Sequence, residues 1–186
     1  GPVHINLATG ASCSFCVKNL PAVRTIERIG YEDVYPEMPA GRIAVFVGSH
    51  ARWSPELTEA VDRFCASRDA VVFCDHTSGY HGKYKALYAL VAGQEQYDPG
   101  LGQVDLLIHI GEVSGDYFTA GRMKGRQVWR VSEDGEIRDT FRRLRYVFEM
   151  SERSFFEHYT VGEGTSDRFL RQCRAEYDNL YAAIPD

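Results

Sequence analysis

The residues of this chain whose types could do chemistry fall into only a few groupings. Cys13 and Cys16 form a C-x-x-C pair, the spacing of half a zinc site or of a redox dithiol, but no second pair follows. No strand leads into them and no helix starts there, as a thioredoxin-type motif requires, so they are expected to be structural. Asp75 and His76 are adjacent, with His81 beyond a glycine-containing loop. Adjacent side chains diverge, and no fourth ligand recurs at zinc-like spacing, so no metal centre is expected there. Ser78 sits in Thr-Ser-Gly-Tyr-His-Gly rather than in the G-x-S-x-G of a hydrolase elbow. Glu112 has the chemistry of a general base, but a glutamate in an exposed loop is usually just solvated.

These residues are placed by an alternation of strands and helices. Ile43 to Val47, Ala70 to Cys74 and Asp105 to Ile110 are continuous apolar runs, the pattern of strands buried on both faces of a parallel sheet. Gln127 to Val131 reads as a fourth strand and Arg145 to Glu149 as a fifth. Ser54-Pro55-Glu56 opens a helix with Leu57, Val61 and Phe64 as its buried stripe. Further helices are expected over 20–29 (stopped by Gly30), over 83–91, up to Lys124-Gly125, over 153–159 after a Ser151 cap, and over 165–182. Residues 31–40, with two prolines, and 92–103 read as irregular. The expected fold is a three-layer α/β domain: a Rossmann-like, doubly wound parallel sheet of about five or six strands.

In such sheets ligands bind beyond the carboxyl ends of the strands. Those ends carry Gly48-Ser49-His50, Asp75-His76-Thr77-Ser78-Gly79 and Gly111-Glu112-Val113-Ser114-Gly115. Each has the glycine and hydroxyl residues of an ordinary strand-to-helix turn, and together they form the one plausible rim of a site. Neither G-x-G-x-x-G after a strand nor G-x-x-x-x-G-K-[ST] occurs, so the sheet lacks the phosphate cradle of an NAD or ATP domain.

Composition excludes several classes. The 186 residues suit one domain, and 44% hydrophobic with 25% charged residues is ordinary for a globular protein. A net charge of -5 gives no pull toward nucleic acid or an anionic membrane. Arg138, Arg142, Arg143 and Arg145 are interrupted by Asp139 and followed by Glu149 and Glu152, the mark of a mixed, solvated face. No apolar run approaches the length of a membrane span and no signal peptide opens the chain. Cys65 and Cys74 lie within apolar patterns, and with Cys13, Cys16 and Cys173 the odd count does not suit a disulfide framework. A reduced, cytoplasmic protein is expected.

Gly1-Pro-Val-His-Ile-Asn-Leu7 resembles the closing strand of the pyrimidine-binding domain in thiamine diphosphate-dependent enzymes, where G-P-V-x-[IL]-x-[LIV]-P is typical. Ala8 stands here in place of the proline. Gly41 to Gly48, followed by a Pro-Glu-Leu helix, is similar to the opening of their middle domain, and Asp105 to Gly111 to its D-x-[IL]-[IL]-x-[IL]-G strand. Within the superfamily, Asp75 to Gly79 and Gly111 to Gly115 are most similar to the menaquinone-pathway synthases that make 2-succinyl-5-enolpyruvyl-6-hydroxy-3-cyclohexene-1-carboxylate.

The resemblance implies that residues 1–19 end a pyrimidine-binding domain and its linker, and that 20–186 form the central α/β domain of a longer carboligase or decarboxylase. The parent enzyme would use thiamine diphosphate and Mg2+, as a homodimer or homotetramer. The activating glutamate and the G-D-G…N metal motif lie in the family's first and third domains, so this chain alone would hold neither cofactor and catalyse nothing. Glu133-Asp134-Gly135-Glu136 has the wrong first residue and no asparagine at the required distance. Its role would be to keep the flanking cofactor domains in register and to line the substrate pocket with Ser49, His50, Asp75, Ser78, Ser114, Asp116 and Tyr117, all but Asp75 expected to be largely exposed along one sheet edge. In the synthases a Lys-Arg pair that holds substrate carboxylates follows the third-strand loop; here Asp116-Tyr117 follows Ser114-Gly115. A carboxylate cannot replace two cations facing a polyanion, so either the substrate differs from isochorismate or the chain is a paralogue with another carbonyl acceptor. The alternative is a free-standing Rossmann-like nucleotide-binding module, as in middle domains that carry FAD or ADP.

Overall fold

A computed structural model describes residues 24–51, 53–112 and 116–185. The C-x-x-C pair, the opening heptapeptide and Ser114 lie outside them. Among the described residues seven strands form one sheet: β1 (Glu27–Ile29), β2 (Ile43–Val47), β3 (Val71–Cys74), β4 (Lys85–Leu87), β5 (Gln103–Ile110), β6 (Lys124–Val131) and β7 (Leu144–Phe148). Their order is β1-β7-β6-β5-β2-β3-β4, and every neighbouring pair is parallel. The helices are α1 (Pro55–Arg68), α2 (Ala89–Ala92), α3 (Tyr117–Arg122), α4 (Glu152–Tyr159) and α5 (Arg168–Ala182). The expected doubly wound α/β fold is what the chain adopts. The order reverses between β2 and β5, which makes their carboxyl ends the topological switch point.

The strands are buried as their sequences require, with all five residues of β2 and all four of β3 inaccessible. Alternation sends Val45, Ile108, Trp129 and Phe148 to one face, under α1 and α4. There Trp129 meets Tyr146, Phe148, Phe155 and Tyr159, and Phe64 of α1 meets Phe156 of α4. The other face carries Phe46, Phe73, His109 and Arg130, aligned across neighbouring strands. Phe169 of α5 covers Phe73. Phe141, from the irregular 132–143 segment between β6 and β7, covers Phe46 and His109.

Two expected helices are corrected. Over 20–29, residues 27–29 are the edge strand β1, paired with β7, while 20–23 lie outside the described residues. Over 83–91, Lys85–Leu87 is the opposite edge strand and only Ala89–Ala92 is helical. These short edges raise the count to seven strands. Arg174 of α5 donates to the Lys83 and Lys85 carbonyls, so part of the β4 edge is occupied. Helix caps follow the sequence: Ser54 accepts from Leu57 N and Ser151 from Ser154 N, each at 3.1 Å.

Candidate functional site

The carboxyl ends of β2, β5, β6 and β7 open into a cleft of about 480 Å³, lined in part by Ser49, His50, Glu112, Arg130, Asp134 and Glu152. Its floor is held together by main-chain bonds between loops. Gly48 N donates to Ile110 O at 3.1 Å, His50 N to Thr77 O at 3.3 Å and Glu112 N to Ser49 O at 2.6 Å. Gly111 has φ +74°, and a Cβ there would come within 2.8 Å of Ser49 O. The close contact of the two switch-point loops therefore depends on this glycine.

His50 is the best-organised titratable group. Its Nδ1 lies 2.7 Å from Ala51 O, which can only accept, so Nδ1 carries a proton. Its Nε2 faces the Glu152 carboxylate at 2.8 Å, and the ring stacks on Trp53 with centroids 4.4 Å apart. Burial opposes the charged ring, but the hydrogen bond and charge of Glu152, with the Ala51 carbonyl, outweigh it and raise the pKa. Trp53 in turn donates Nε1 to Ser78 O at 2.7 Å, tying the loops after β2 and β3 together.

Asp75 and Ser78 are buried, and the expected exposure of Ser78 is corrected. Asp75 accepts from Thr77 N, Thr77 Oγ1 and Ser78 Oγ, while Ser78 Oγ also reaches Val47 O at 2.7 Å. They form an Asx-type turn pinned to β2, and their polar atoms are committed to it. His76 and His81 are exposed beside it. Asp116 is likewise buried: it caps α3, accepting from Phe118 N and Thr119 N at 3.0 and 3.1 Å and from the Thr119 hydroxyl. The expectation of an exposed charge is corrected, because the first turn of α3 needs an acceptor there. Tyr117 is 84% exposed, and α3 packs on α2. Ser49 and His50 are half-buried, on the rim. The structure thus gathers Ser49, His50, Asp75 and Ser78 around the β2 end and sets Asp116 and Tyr117 apart on α3.

Sequence reasoning missed Arg130, His109, Arg138 and Glu152. Arg130 is 1% exposed; its Nη1 donates to Gly111 O at 2.9 Å, and its Nη2 lies 3.6 Å from Glu112 Oε1. Arg138 pairs with Glu112 and Glu136, so Glu112 is not simply solvated. His109 is aligned with Arg130 on the neighbouring strand, and burial with the Arg130 and Arg138 charges lowers its pKa to about 3, keeping it neutral. A charged residue inside Val128-Trp-Arg-Val131 and a histidine inside Leu106-Leu-Ile-His-Ile110 were the available signals.

Nucleophilic chemistry finds no support among the described residues. Cys65, Cys74 and Cys173 are buried, and burial raises their thiol pKa values, to about 12 for Cys74 and Cys173. No histidine shares a hydrogen bond with a serine, threonine or cysteine among the described residues. Nor, among them, do three or more His, Cys, Asp or Glu side chains gather to hold a metal ion. In the Glu133 to Glu136 segment, Asp134 accepts from the Ser132 hydroxyl and from Glu136 N, and Gly135 turns the chain at φ +60°. That is a closed turn, and it does not fit a Mg2+-diphosphate ligand. No protein-family model matches the chain, and no curated protein matches it significantly.

Proposed function

We propose that this chain is the central, non-catalytic domain of a thiamine diphosphate-dependent carboligase or decarboxylase, similar to the menaquinone-pathway synthases. It holds the flanking pyrimidine- and diphosphate-binding domains in register and lends its carboxyl edge to the substrate pocket. Thiamine diphosphate and Mg2+ belong to the flanking domains, in a homodimeric or homotetrameric cytoplasmic transferase.

The observation that carries this reading is the fate of the amides at the switch point. A nucleotide-binding sheet leaves them free to cradle a diphosphate. Here Gly48, His50 and Glu112 donate to neighbouring carbonyls, and Ser54, Asp116 and Ser151 cap the helices that follow. A Rossmann-like sheet in which these described amides are committed internally suits a scaffold better than a nucleotide module. The same edge presents Tyr117 and Phe118 at 84% and 64% exposure, apolar surface that suits a neighbouring domain.

Two measurements test the proposal. Titrating thiamine diphosphate with Mg2+ into the purified chain should give no saturable heat, and micromolar binding would overturn the scaffold role. The coding sequence downstream should encode a G-D-G…N motif; a continuous reading frame without one would overturn the family.

A further inference from the structure

Arg130 is a buried cation with too few acceptors. A guanidinium presents five N–H donors, and burying one uncompensated is costly. Arg130 is 1% exposed and makes one hydrogen bond of normal length, Nη1 to Gly111 O at 2.9 Å. Its Nη2 lies 3.6 Å from Glu112 Oε1, beyond hydrogen-bonding reach, and its Nε has no partner among the described residues. On the aligned neighbouring strand, His109 Nδ1 is also without a partner among the described residues and brings no negative charge. Yet Arg130 borders the carboxyl-edge cleft.

A second cation, outside the cleft lining itself, converges on the Glu112 carboxylate. Arg138, from the irregular 132–143 segment, binds the same carboxylate of Glu112. One carboxylate is thus shared between a buried arginine from β6 and a half-buried arginine from the segment beside it. Glu112 itself is 57% exposed and follows Gly111, on a turn that a side chain could not make without strain. Two arginines fixed by strand and segment, against a largely solvent-facing carboxylate on a glycine turn, describe a receptor filled by a replaceable group.

We propose that Arg130 and Arg138 form the receiving end of a small-oxyanion site at the margin of this cleft, and that Glu112 occupies it until a ligand carboxylate or phosphate displaces it. A guanidinium pair suits the forked geometry of either group. Glu133 and Asp134 border the cleft and Glu136 pairs with Arg138, so the surroundings oppose anions at longer range. A ligand therefore gains only by direct contact with both arginines, and Glu112 keeps the affinity of the unaltered chain low. The site uses side chains alone, which agrees with the commitment of the loop amides. It stands independently of the thiamine diphosphate reading, which the downstream motif decides whatever happens here.

The test is calorimetric titration of inorganic phosphate and, separately, malonate into the wild-type chain and variants, in chloride buffer of low ionic strength. Glu112→Gln should bind at least one of them at least tenfold more tightly than wild type. Adding Arg138→Gln to that variant should weaken binding at least tenfold. Adding Arg130→Met instead should do the same, with an unchanged far-ultraviolet dichroism spectrum establishing that it folds. Phosphate binding without malonate binding assigns a phosphorylated ligand; the reverse assigns a carboxylic acid. Glu112→Gln binding no more tightly than wild type, or Arg138→Gln leaving the gained affinity intact, overturns the site.

Discussion

The two faces of the sheet are built to different standards. Beneath α1 and α4, Trp129, Phe148, Phe155 and Tyr159 interlock around ring centroids 4.8–6.4 Å apart, with Phe64 and Phe156 alongside. On the opposite face, at the same level of the sheet, β5 and β6 place His109 and Arg130 under an irregular segment rather than a helix. Each of those residues keeps one buried nitrogen without a partner among the described residues. The first face is arranged for stability. The second tolerates a cost that a packed core removes, and such exceptions tend to mark sites rather than architecture.

The contrast breaks most readily at Trp129. Trp129→Ala removes a fully buried ring with four aromatic neighbours and should cost about 3–5 kcal/mol in urea unfolding. If Arg130 were an equally well-matched core residue, its truncation would cost as much. Arg130→Met instead leaves only the Gly111 carbonyl in want of a donor and should cost under about 2 kcal/mol. Equal losses from the two changes would remove the distinction between the faces.

Smaller effects sharpen it at the sheet edge. Asp116→Ala should cost about 1 kcal/mol through the lost cap of α3, whereas Tyr117→Ser should stay within about 0.5 kcal/mol. Reversed magnitudes in parallel melts would make Tyr117 the architectural residue. A further small effect belongs to His50. Its folded pKa is raised, so the bond to Glu152 contributes fully below the unfolded value of about 6.5 and fades as pH rises through the folded value. Burial of the ring opposes its charged form and holds the change below about 1 kcal/mol. Glu152→Gln should flatten this slope of stability against pH; a slope that persists in the variant would locate the titration elsewhere.

What could be read in the sequence followed from how each strand is buried. Ile43 to Val47 and Asp105 to Ile110 are central and covered on both faces, so their apolar runs identify them. Glu27-Arg28-Ile29 and Lys85-Ala86-Leu87 are edges three residues long, exposed on much of their surface, and their mixed pattern imitates helical spacing. At the site, Gly48, Asp75, Ser78 and Gly111 were legible because turns demand those residue types. Arg130 was not, because what matters about it is the acceptor it lacks among the described residues, and its acceptors come from loops distant in sequence. Asp116 was legible as a charge but not as a cap, since an aspartate before a helix can serve either purpose.

The all-parallel ladder also fixes an order of assembly in time. No neighbouring pair can close through a hairpin; each must wait for a crossover, so local nuclei are scarce and folding is slow for a chain of this size. β2 must wait for β5, Ile43 lying beside Leu106, before the centre of the sheet exists. β1 waits longest, because Glu27 is seated only against Tyr146 of β7. On the ribosome, the strand that emerges first among those described is therefore the last to dock. Until then its partner edge, Leu144 to Phe148, stands open to any other extended chain in the cell.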